Sequence, residues 1–240
     1  MKEKICKVLM GLSIGLIVVW LVLVFQDRDR SQLLYSILGV ISMACLFISS
    51  WINLKQLRKI RFQDIYFAGG CFWGTEKYFK LIKGVIETEV GYANGNTENP
   101  TYEQVYTDTT GYAECVHVRF DTEVTTIRRL AELYFKAIDP TSVNQQGEDK
   151  GTRYRTGVYY VEPDRQGIAS VLKQVFEEQS SLYGEIKVEL MPLKNFVRAE
   201  DYHQDYLDKN PEGYCHLSPE LFEYAKQQGK QADRIKEPFK

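Results

Sequence analysis

The chain has 240 residues, 44% hydrophobic and 26% charged, with a formal net charge of −2. That length suits one domain with something added. The balanced charge argues against nucleic-acid binding, which calls for a concentrated basic surface. The averages conceal a division at the N-terminus, where residues 8–25 form an uncharged run of 18 and residues 33–54 another of 22. At about 1.5 Å per residue, a helix of either length can cross a hydrocarbon core of roughly 30 Å, the first only just. No small-residue cleavage site follows the first run, and a second apolar run does, which points to a membrane hairpin rather than a removable signal peptide. Residues 1–54 are expected to be a lipid-embedded anchor of two transmembrane helices, 55–63 a basic juxtamembrane linker, and 64–240 the folded domain. Lys2, Lys4 and Lys7 precede the first run, and Lys55, Arg58, Lys59 and Arg61 follow the second, against only Arg28 and Arg30 between them. The positive-inside rule then places the folded domain in the cytoplasm.

Residues 64–67 (DIYF) carry β-branched and aromatic side chains suited to a strand, and residues 72–80 read as an amphipathic helix. Residues 84–93 and 113–120 alternate as strands do, with a turn-rich loop over 94–110 between them. A helix begins at Thr125, capped by threonine, and stops at Asp139-Pro140. After a polar loop over 141–155 come a strand at 156–161, a helix at 163–183 and a short strand at 187–190. The order β-α-β-β-α-β predicts an α+β fold, the ferredoxin-like split β-α-β arrangement with long loop insertions and a C-terminal extension. Such a fold implies no particular chemistry, which the loops and strand ends must supply.

One corner stands out. In AGGCFWGTEKYF (68–79) a cysteine sits where strand becomes helix, between two glycines and a Phe-Trp pair. Free N–H groups and the helix dipole favour an anion there and can lower a thiol pKa. The alternative is a small buried cysteine packing in the corner.

GCFWGTE (70–76), GYANG (91–95), NPTYEQV (99–105), TGYAE (110–114), QGEDKGTRYRTG (146–157) and KNPEGYC (209–215) occur in an order that resembles the methionine sulfoxide reductase A family, the peptide-methionine (S)-S-oxide reductases. The resemblance runs from about residue 64 to 217 and leaves the N-terminal hairpin outside it. It implies that Cys71 is the nucleophile and Cys215 the resolving thiol. Glu114 is implied as the acid, with Tyr102 and Tyr154 as donors to the sulfoxide oxygen and Asp149 as support on the polar side. Phe72 and Trp73 are implied as the apolar cage for the substrate S-methyl group. No bound cofactor or metal is implied; thioredoxin is the external reductant, and oxidised proteins or peptides are the substrates. Two departures are visible: Tyr112 stands where many relatives have histidine, and Glu148 where asparagine is common.

The chemistry agrees with that assignment. Attack by a thiolate on the positive sulfur of a sulfoxide needs its oxygen protonated, hence an acid and hydrogen-bond donors. A carboxyl donates at neutral pH only if burial raises its pKa, and Glu114 opens an apolar strand. The resulting sulfenic acid condenses with a second thiol, and Cys215 is in a tail that reads as flexible. Cys6 and Cys45 fall in or beside the apolar runs, and Cys115 lies inside a strand. A cysteine hydrolase would instead pair the thiol with His117, His203 or His216, and would have no use for Cys215. A zinc site is disfavoured because the cysteines lack paired ligand spacing.

Overall fold

The computed structural model describes residues 30–164 and 167–234, together with 5, 7, 8, 11, 12 and 14–19. It divides into two compact units, Met1–Arg61 and Phe62–Lys240. The first contains helix α1 (Arg30–Arg61). No proline or glycine interrupts residues 41–61, so the helix runs on through most of the stretch expected to be a linker. Among the described residues one helix is long and apolar enough to cross a membrane, over Ile37–Lys55. Only 6% of its most apolar window is buried, unlike a core helix. The first expected span, 8–25, lies half outside the described residues, and Cys6 lies outside them too.

The second unit is an α+β fold around a mixed six-stranded sheet. Its elements are β1 (Phe62–Gly69), α2 (Phe72–Lys80), β2 (Val85–Ala93), α3 (Tyr102–Tyr106), β3 (Ala113–Asp121), α4 (Ile127–Ala137), β4 (Gln145–Gln146), β5 (Asp149–Lys150), β6 (Thr156–Tyr160), α5 (Ile168–Tyr183), β7 (Glu189–Pro192), β8 (Phe196–Arg198), α6 (Tyr206–Lys209) and α7 (Pro219–Arg234). The sheet order is β7-β6-β1-β3-β2-β8, all antiparallel except the β6–β7 pair, with β4 and β5 as a separate small ribbon. The inner order β6-β1-β3-β2 is that of a split β-α-β unit: β3 lies between the two strands that α2 connects. Alternation decides the faces. Ile65 and Phe67 of β1 join Val116, Val118 and Phe120 of β3 in the main core under the helices. Ala68, Ala93, Ala113, Cys115 and Tyr159 form a smaller cluster. Helix α2 packs on β1, β2 and β3, α4 on β1 and α5, and α7 on α2 and α4.

Several boundaries move for local reasons. The helix expected from 163 starts at Ile168, because Asp164 caps it by accepting the N–H groups of Ile168 and Ala169 at 2.9 and 2.7 Å. Thr126 rather than Thr125 caps α4, accepting from Arg129 N at 3.2 Å. The expected loops contain α3, the β4–β5 ribbon and a 3-10 turn at Thr152–Tyr154. Tyr112, one of the two departures, is 2% exposed and donates to Thr97 O at 2.6 Å. Its ring lies against Gly95, where a Cβ would come within 2.0 Å of Tyr112 Cδ2. Gly95→Ala is therefore expected to destabilise the unit by about 1–3 kcal/mol, the usual cost of overpacking. A lowered urea midpoint at unchanged slope is the readout.

Candidate active site

β1 ends at Gly69, and Gly70 turns the chain at a φ of +81°, a conformation that favours glycine. Cys71 then takes the N-cap position of α2 and is 6% exposed. The turn is held by Thr75, whose hydroxyl donates to Gly69 O and Cys71 O, both at 3.2 Å. From the neighbouring strand, Glu114 reaches this helix start, and its Oε2 accepts the Phe72 N–H at 3.0 Å.

Burial decides the charge state of this pair. Glu114 is 2% exposed, and burial raises its pKa to about 8, against the pull of the Phe72 N–H and the nearby Arg153 guanidinium. The carboxyl is therefore protonated at neutral pH. Burial also pushes the Cys71 thiol well above its ordinary range, with Glu114 adding to the effect and the Trp73 N–H opposing it. The helix N-terminus, which can lower a thiol pKa, is opposed here by burial. Desolvation of a nearly enclosed sulfur outweighs the dipole.

The other expected polar residues gather here. Burial, with Glu114 alongside, pushes the phenols of Tyr102 and Tyr154 upward, so both remain donors. The Arg153 guanidinium lies 4.4 Å from the Tyr154 ring centre and pairs with Asp108 at 2.7 Å. Asp149, on β5, has a buried Oδ2 with no hydrogen-bond partner. Cys71, Asp149 and His216 offer ligand atoms that all lie within 4.8 Å of one another, the single such group among the described residues.

An aromatic wall forms the apolar side. Phe72 is 1% exposed, while Trp73 is partly open and stacks on Tyr206 with centroids 3.7 Å apart. Trp73 Nε1 donates to His203 Nδ1 at 3.1 Å, and the His203 ring packs 5.0 Å from Phe72 and 4.5 Å from Tyr102. Glu200 ties this wall to the sheet, accepting the Tyr102 N–H at 2.8 Å and the Tyr92 hydroxyl at 2.7 Å.

Cys215 is seated rather than loose. A Cβ on Gly74 would lie 2.8 Å from Cys215 Sγ, so this sulfur rests on the bare backbone of α2 one turn from Cys71. Cys215 is half-buried, and the Leu217 N–H donates to its sulfur at 3.4 Å.

Residues 63–235 match the family model described as peptide methionine sulfoxide reductase. The chain belongs to that family. The peptide methionine sulfoxide reductase MsrA of Clostridium acetobutylicum is 54% identical over 159 residues, 66% of this chain and 97% of the relative. That of Lachnoclostridium phytofermentans is 50% identical over 165 residues, 68% of this chain and 98% of the relative. Among solved structures, reduced Mxr1 from Saccharomyces cerevisiae superposes with a TM-score of 0.61 at 36% identity, covering 66% of this chain and 92% of its own. Methionine sulfoxide reductase A of Corynebacterium diphtheriae gives 0.61 at 38%, covering 64% and 77%.

Several residues around the candidate site were not among the expected site residues. His203 and Tyr206 complete the aromatic wall, yet in YHQDY they look like ordinary residues of a polar segment. Arg153 and Glu200 act through partners distant in sequence. Of the other histidines, His117 pairs with Asp64 at 2.9 Å and stacks on Tyr66. Cys115 is fully buried in the smaller cluster, Cys45 is exposed on α1, and Glu148 is an exposed loop residue.

The raised pKa of Glu114 has a stability consequence. Between about pH 4.5 and 8 the unfolded chain ionises this carboxyl while the folded one keeps it neutral, so the group lowers stability progressively across that window. Glu114→Gln keeps an acceptor for the Phe72 N–H and cannot ionise. Its urea midpoint relative to the parent is expected to rise from pH 5 to pH 8.5; a constant difference would contradict the assignment.

Proposed function

We propose that this enzyme, a peptide-methionine (S)-S-oxide reductase, works through Cys71, Glu114 and Cys215. The observation that carries the reading is a buried carboxyl held against the helix start beside a buried thiol. The substrate S-methyl group lies against Phe72 and Trp73, and the sulfoxide oxygen faces Glu114 with Tyr102 and Tyr154 as further donors. Asp149 supports the polar side. As the Cys71 sulfur attacks the sulfoxide sulfur, Glu114 gives its proton to the oxygen. The transient S–S bond and the methionine S–O bond then break as the hydroxyl passes to the Cys71 sulfur and forms its S–O bond. The methionine thioether leaves, and Cys71 is left as sulfenic acid. The thiol proton restores Glu114. The methionine sulfur gains two electrons and Cys71 loses two.

Cys215 then displaces the oxygen as water and forms a disulfide with Cys71. A dithiol protein of the thioredoxin class, the reductant that the family resemblance implies, returns both to thiols, and no bound cofactor takes part. The natural substrates in this reading are proteins and peptides carrying oxidised methionine. Cys71→Ser is expected to abolish reduction of a methionine sulfoxide peptide with any thiol donor. Cys215→Ser is expected to release about one methionine per enzyme and then stop when thioredoxin is the donor. Turnover by the first variant, or full thioredoxin-driven rates in the second, would overturn the roles.

The N-terminal segment anchors the reductase in this reading as a two-span hairpin with the enzyme facing the cytoplasm. Support comes from the two uncharged runs and from seven Lys or Arg on the terminal flanks against two in the loop. A reducing compartment would also keep both thiols usable. In intact cells the full-length protein is expected to resist added protease until the membrane is opened. Digestion before that point would reverse the orientation.

A further inference from the structure

His216 follows Cys215 and has no part in the reaction as described. Its ring is held in one orientation: Nε2 lies 3.1 Å from Gly69 O. A carbonyl only accepts, so the proton of the neutral ring sits on Nε2 and Nδ1 is the bare lone pair. Nδ1 is shut off from solvent and has no hydrogen-bond partner. A buried unpaired nitrogen is costly and calls for a reason. The seat is built from glycines: a Cβ at Gly70 would lie 3.3 Å from His216 Nε2. One at Gly74 would lie 3.4 Å from Nδ1 and 2.8 Å from Cys215 Sγ. The free lone pair and the second thiol therefore flank the same bare patch of α2. A ring nitrogen of His216 is also within 4.8 Å of Cys71 Sγ and of an Asp149 oxygen.

We propose that His216 is the general base of the disulfide-forming step, an inference that rests on the roles given above to Cys71 and Cys215. Nδ1 takes the Cys215 proton as that sulfur attacks the sulfenic sulfur of Cys71. The S–S bond forms, the S–O bond breaks, and the imidazolium hands the proton to the departing hydroxide, which leaves as water. Cys215 is oxidised, the Cys71 sulfur is reduced, and no other reactant is needed. The titratable groups around the ring are Cys71 at the start of α2, Glu114 behind it on β3, Asp149 on β5, and Tyr214 and Cys215 on its own segment. Burial holds the imidazole below its ordinary range while Asp149 draws it back up. The base is thus free at neutral pH, and an Asp149 carboxylate oxygen within 4.8 Å of a ring nitrogen is placed to meet the imidazolium.

The test is a single turnover without reductant, following methionine release and loss of free thiols separately in the full-length protein. His216→Gln is expected to keep a burst amplitude near one methionine per enzyme, which counts folded sites. Disulfide formation at pH 7 should slow on the order of a hundredfold, and added imidazole should restore part of the rate. In the parent, the disulfide rate should climb with pH below 6.5, the ordinary histidine value, and level off above it. An intact burst with a disulfide rate within twofold of the parent overturns the proposal. So does a parental rate that rises steadily to pH 9, tracking the thiol alone. That parental profile decides the matter even if the variant loses its burst. A parent with no burst would instead refute the assignment of Cys71.

Discussion

A single hydrogen bond, from the Phe72 N–H to Glu114 Oε2, ties the start of α2 to the neighbouring strand. It uses one of the free donors at the start of α2, and it places a carboxyl from the neighbouring strand beside the cysteine that begins the helix. Everything around it serves to keep that contact dry. That burial is the main cause of the raised Glu114 pKa.

The C-terminal extension supplies much of that enclosure. Gln204 binds the edge of β2, accepting from Val90 N at 3.0 Å and donating to Val90 O and Ala199 O at 2.9 Å. Glu76 on α2 is buried and accepts the Asp205 N–H at 2.9 Å, while Lys77 and Lys80 pair with Asp205 and Asp208. These exposed ion pairs contribute little singly; the buried contacts set the register of the segment. With that segment docked, Tyr206 meets Trp73 and Cys215 meets Gly74. The aromatic wall and the second thiol thus arrive on one stretch of chain.

The sequence was most readable where side chains obey a period. Alternation in 113–120 and the helical spacing after Cys71 located β3 and α2, and the α+β class followed from their order. The outlying strand β8 and the short helix α6 were missed because three or four residues carry too little period to stand out. The six motifs brought Cys71, Glu114, Tyr102, Tyr154, Asp149 and Cys215 forward, and the fold does gather them. For the Cys71 thiol the sequence left two opposing effects open, dipole and burial. A helix start is visible in sequence, whereas the solvent exclusion that opposes it comes from residues distant in the chain, Glu114, Asp149 and His216 among them. His216 was weighed only as a hydrolase base, because its place beside the thiols depends on the Gly69 carbonyl, a contact across 147 positions.

The burial that raises the Cys71 thiol has a consequence for an enzyme that meets oxidised proteins. Peroxides attack thiolates that they can reach, and overoxidation past the sulfenic stage is generally irreversible. At 6% exposure and with burial pushing its thiol upward, Cys71 presents little of the charge or the surface that such oxidants need. The same desolvation that slows its resting reactivity is a form of self-preservation under the conditions that create its substrate.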